Sequence, residues 1–101
     1  MEPHDDRLLP SGAPAPAGAA DAGERPPAGL VRELVAAGAP VVVTPAPDGP
    51  ELLAEVAVYA WLGVRYFRVP DPGAQDVRDV LDMVASVRGT RPPAYTVRGL
   101  A

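Results

Sequence analysis

The 101 residues include no cysteine and no lysine, and the one histidine is His4. Without thiols there are no disulfides, no thiolate nucleophiles and no cysteine-ligated metals. All nine basic residues are arginines, which excludes a Schiff-base lysine and the lysine of a phosphate loop. A single histidine so near the start gives no basis for a Ser-His-Asp triad or a histidine-held metal. Carboxylates and tyrosines are the acid and base candidates that remain. No apolar run approaches a membrane span, and the N-terminus carries acids rather than the basic flank of a secretory signal. A net charge of −4 argues against nucleic acid or an anionic membrane as partner. The expectation is a cytoplasmic protein with no metal and no cofactor.

What is present is apolar, at 48% hydrophobic residues, and heavily punctuated, with 14 prolines and 10 glycines. Residues 1–27 contain SGAPAPAGAADAGERPP, whose Pro/Ala/Gly content predicts a disordered lead. Residues 28–89 read as one folded unit, and 90–101 (TRPPAYTVRGLA) as an extended arm broken by Pro92 and Pro93.

Within the folded unit, Leu30, Val31, Leu34 and Val35 fall on one side of a short helix over 28–38 closed by Gly38. PVVVT over 40–44 is a β-branched run suited to a strand buried on both faces. Pro50 suits a first helical position, Asp48 a cap, and Gly63 a left-handed terminator, predicting a helix over 50–62. That helix carries only Glu51 and Glu55 as charges, so it wants burial on more than one side; the two acids read as a solvated stripe. The next strand, 64–69, alternates Val64, Tyr66 and Arg68 against Arg65, Phe67 and Val69. Val77, Val80, Leu81, Val84 and Val87 then mark an amphipathic helix ending at Gly89.

The order α-β-α-β-α gives an α/β fold with two parallel strands, a partial (β/α) barrel unit preceded by a tail. Two strands leave two open edges, so further strands are expected to complete the sheet.

The run AVYAWLGVRYFRVPDP…VRDVLDMVASVRGTRPP resembles the C-terminal end of actinobacterial dihydropteroate synthases and their synthase-like homologues. The resemblance covers residues 30–101, about the last quarter of an eight-stranded (β/α) barrel that joins p-aminobenzoate to a pterin diphosphate. The family's last strand ends Arg-Val-His-Asp; here Arg68-Val69-Pro70-Asp71 stands instead. By resemblance, Arg68 and Asp71 are the candidate contacts to a diphosphate-type anion at the barrel mouth. Pro70 has no donor to replace the histidine. The Ser-Arg-Lys type loop expected after PVVVT is TPAPDG, and the pterin-binding strands are outside the matched region.

The residues themselves offer other roles: Arg68 as a structural arginine, Asp71 as a helix N-cap, Tyr59 and Trp61 as helix packing. The resemblance therefore implies a truncated, synthase-like protein that is non-catalytic by itself, partnered by itself or by a complete synthase-like barrel, with a residual pterin or phosphate ligand. A synthase subunit that completes a barrel by oligomerisation, and a vestigial gene product, are the alternatives.

Overall fold

Among the described residues four strands, rather than two, form the sheet. The computed structural model describes residues 5–89; the expected arm at 90–101 and His4 lie outside them. The elements run β1 (Leu8–Leu9), β2 (Ala20–Glu24), α1 (Ala28–Ala36), β3 (Val41–Thr44), α2 (Gly49–Leu62), β4 (Tyr66–Arg68), a 3₁₀ turn at Asp71–Gly73, and α3 (Ala74–Arg88). All strands are parallel in the order β1-β4-β3-β2, with Leu8 opposite Phe67, Val42 opposite Tyr66, and Asp21 opposite Val42.

The expected disordered lead is thus corrected for residues 5–27. Its two strands have little intrinsic preference, and ADAGE contains no β-branched or aromatic residue. They form because β3 and β4 offer them unpaired edges. The Phe67 amide donates to the Arg7 carbonyl (2.8 Å) and the Val69 amide to Leu9 (2.9 Å). On the other edge, the Ala20 amide donates to Pro40 (2.7 Å) and Arg25 to Thr44 (2.8 Å). The expected completion of the sheet comes, to this extent, from within the chain.

Because β1 and β2 are at opposite edges, residues 10–19 must cross the sheet. They do so through two turns, closed by Ala13 N–H to the Pro10 carbonyl (3.1 Å) and Ala19 N–H to the Pro16 carbonyl (3.0 Å). Gly12 (φ +76°) and Gly18 (φ +83°) take the left-handed third position that such turns require. What composition reads as disorder is turn chemistry.

The helices cover one face. Val31 of α1, Leu52, Val56 and Tyr59 of α2, and Val77 and Leu81 of α3 pack with Val41, Val43, Phe67 and Val69 in one buried cluster. This one-sided helical layer over a parallel sheet is compatible with part of a (β/α) barrel. On the opposite face Val42 is 0% exposed, and the crossing segment is tied to that face by the Arg68 bond to the Ala13 carbonyl. Val64, expected to share a face with Tyr66 and Arg68, joins the helix-side core, because it lies before the strand in the turn that closes α2. Its amide donates to the Tyr59 carbonyl (3.0 Å).

The helix that wanted burial on several sides receives it between α1 and α3. Gly63 (φ +108°) closes it as expected. Val58 and Trp61 nonetheless stay 54% and 53% exposed.

Candidate functional site

Arg68 ends β4 on the face away from the helices, where the sheet alternation puts it beside Asp21 of β2 and Thr44 of β3. Its side chain is only 10% exposed. Nη2 donates to Asp21 Oδ2 (2.6 Å), Nη1 to Asp21 Oδ1 (3.1 Å) and Thr44 Oγ1 (3.1 Å), and Nε to the Ala13 carbonyl (2.6 Å). The pair with Asp21 is bidentate, the strongest geometry a guanidinium has for an oxyanion. The Asp21 carboxyl is held below its ordinary range, first by Arg68 and then by the Gly23 amide (2.9 Å). The anion on Arg68 is therefore the protein's own carboxylate, and the Ala13 contact pins the crossing segment onto the sheet.

Asp71 lies elsewhere. It opens the 3₁₀ turn, is exposed, and lines a small cleft with Asp5, Leu9 and Arg78. The structure does not bring it to the Arg68 guanidinium, whose partners are Asp21, Thr44 and Ala13. The N-cap reading of Asp71 is corrected, since Pro70 occupies the cap position of the turn and Gly73 that of α3. The amides a capping carboxylate would take are already engaged: that of Gly73 donates to the Pro70 carbonyl (3.1 Å) and that of Ala74 to the Asp71 carbonyl. Asp48 does occupy the cap position of α2, but its side chain makes no capping bond.

Sequence reasoning missed a second ion pair on the same rim. Glu55, read as part of a solvated stripe, accepts from Arg25 Nη2 (2.6 Å) and from the Ala46 amide (2.9 Å). It ties the turn after β2 to the loop after β3. Burial pushes its carboxyl up, but the Arg25 and Ala46 bonds outweigh this and leave it below the ordinary range. Tyr59, read as packing, does pack, and its hydroxyl also donates to the Pro26 carbonyl (2.8 Å). Neither link has a local signal, because each joins residues about thirty positions apart.

A pH dependence follows. Asp21 and Glu55 bind protons less readily folded than unfolded, so the unfolded chain takes up more protons as pH falls. Their stabilisation is complete above the ordinary values of 3.8 and 4.5 and is lost as pH drops below them. Thermal midpoints should hold steady from neutrality down to about pH 5 and fall below it, with a smaller fall in Asp21→Asn.

Among the described residues no three His, Cys, Asp or Glu side chains are grouped to hold a metal, and no helix is long and apolar enough to cross a membrane.

No family model matches the chain, and no solved structure matches it. Curated proteins do. It is 59% identical over 49 residues to "Inactive dihydropteroate synthase 2" of Mycobacterium leprae (strain TN), covering 48% of this chain and 16% of that protein. It is 55% identical over 49 residues to proteins of the same name from Mycobacterium bovis (strain ATCC BAA-935 / AF2122/97) and Mycobacterium tuberculosis (strain ATCC 25618 / H37Rv). The matched stretch thus spans about a sixth of the length of these relatives. Over about half of its residues, the chain resembles a dihydropteroate-synthase-like protein.

Proposed function

We propose that this chain is a non-catalytic, synthase-like protein that works by association, with a second copy of itself as partner. The observation that carries the first half is the state of Arg68. It is the one arginine at the end of β4, and Asp21, Thr44 and Ala13 already engage it beneath the crossing segment. A departing diphosphate needs several converging donors, and positioning groups for two substrates besides. The word "inactive" in the names of the similar proteins agrees with this reading.

Association is supported by the outward side of α2. Ala54, Val58 and Trp61 recur there at helical spacing, with the Arg88 guanidinium 5.5 Å from the Trp61 ring centroid. At the other end of the same helix, a cavity of about 650 Å³ is walled by Pro47, Pro50, Leu53 and Pro72. Pro50 and Trp61 are about 17 Å apart along the axis at the usual helical rise. An antiparallel two-fold pairing that seats each Trp61 in the other copy's notch would be self-complementary and closed. A residual pterin or phosphate at Arg68 is the remaining expectation of the resemblance; it would have to displace Asp21.

The test has two separate readouts. Turnover of pterin diphosphate and p-aminobenzoate by the purified protein would overturn the non-catalytic half. For the second half, light scattering should give a dimer, with Trp61 emission shifting to shorter wavelength as concentration rises, and Trp61→Arg should be monomeric. A wild-type monomer at all concentrations rejects self-association. Capture of a complete synthase-like barrel by that monomer would then name the other partner.

A further inference from the structure

The large apolar side chains left in solvent are not spread over the molecule. Among the described residues Leu30 of α1 is one; the others are Val58 and Trp61 of α2 and Met83 and Val87 of α3. Met83 and Val87 are 59% and 70% exposed. On α2, Val58 and Trp61 continue the line of Pro50, at i+8 and i+11. On α3, Met83 and Val87 continue the line of Asp76, at i+7 and i+11. The two helices pack side by side, so the two stripes are neighbours.

The charges at the two ends of this surface are opposite. At one end Arg88 of α3 stacks on Trp61 of α2, its guanidinium 5.5 Å from the ring centroid. It donates through Nη1 to the Ala60 and Trp61 carbonyls, and no described carboxylate is within ion-pair distance of it. At the other end Asp48 and Asp76 border the notch of about 650 Å³. Both are exposed, and neither forms an ion pair with a described residue. Asp76 and Arg88 are about 18 Å apart along α3, close to the separation of Pro50 and Trp61 along α2.

We infer that the surface offered to the second copy spans both helices, with α3 laid antiparallel on α3 so that each Arg88 meets the other copy's Asp76. The pairing rests on the self-association proposed above and extends it from one helix to two. A two-fold axis crossing the helices at right angles sets α2 on α2 and α3 on α3 in opposite directions. Because the spacings match, the movement that seats Trp61 at the notch also carries Arg88 to Asp76. A parallel pairing would set Arg88 on Arg88 and Asp76 on Asp76, and like charges facing each other across an interface are costly. The exposed apolar side chains then lie between two charge pairs, as the apolar centre and polar rim of an interface do. Rim charges fix orientation more than they add affinity, so reversing a charge reads the pairing better than removing it.

Sedimentation equilibrium on the full chain tests it. Asp76→Arg and Arg88→Glu should each weaken the dimer about tenfold or more, because two-fold symmetry doubles every repulsion. An equimolar mixture of these two variants should associate within about threefold of the parent, since a mixed pair holds two opposite-charge contacts. Met83→Glu, on the apolar stripe of α3, should also dissociate the dimer, and mixing should not rescue it. Circular dichroism checks that each variant is folded; should Arg88→Glu not fold, Asp76→Arg and Met83→Glu still decide, both being at exposed positions. A parent that stays monomeric at all concentrations rejects the association itself, and this pairing with it. A parent dimer that Trp61→Arg breaks but Asp76→Arg and Met83→Glu leave intact keeps the association and overturns the inference. A mixture that associates no better than its components overturns the antiparallel arrangement.

Discussion

Phe67→Ala is expected to leave the protein without a cooperative thermal transition at physiological temperature. Phe67 is 1% exposed in a central strand, pairing with Leu8 on one side and Val43 on the other. Among the described residues it is the largest fully buried side chain, and it belongs to the cluster that all three helices share. Truncating a buried phenylalanine costs about 3–5 kcal/mol, since the transfer free energy is lost and a cavity remains. Small domains hold only about 5–15 kcal/mol in total, and one of this size sits toward the lower end. Melting followed by circular dichroism decides it. A sharp transition within a few degrees of the parent would mean that the helices pack without this ring.

Arg68→Met, one residue along and on the other face, should act differently. Methionine keeps the unbranched stem but has no donor for Asp21, Thr44 or Ala13. Hydrogen bonds to charged groups are worth about 1.5–3 kcal/mol, and the lower end applies because Asp21 is 43% exposed and regains water. The helix-side core is untouched, so folding should remain cooperative. The specific sign is hydrogen exchange: amides over 10–20 should exchange much faster, while those of β3 against β4 keep their protection. Unchanged protection over 10–20 would show that the two glycine turns hold the crossing segment without the arginine.

The contrast between these neighbours parallels what could be read in advance. The elements from α1 to α3 follow local chemistry: Pro50 and Gly63 bound one helix, Gly89 ends another, and the valines of β3 mark a buried strand. Phe67 belongs to that legible part. The lead was misread because strands like Leu8–Leu9 and Ala20–Glu24 owe their form to a neighbour's edge, which no window along the chain contains. One signal was available, in that PSGA and PAGA each place glycine third in a four-residue turn. Arg68 was singled out, but its partner was not, since Asp21 sits 47 positions away and only the register β4-β3-β2 makes them meet.

The pairing of the first strand with the last has a consequence for how the protein comes off the ribosome. Leu8 and Leu9 find their partners only when Phe67 and Arg68 have left the exit tunnel, after nearly all the described chain has been made. Until then β2, α1, β3 and α2 can assemble, but the edge that β1 will occupy is not yet built. Closing so long a loop has an entropic cost that only non-local contacts repay, which places this topology among the slower to mature. The apolar faces of β3 and α2 emerge before β4 and α3 can cover them, so the interval between them is when the emerging chain is most exposed to aggregation.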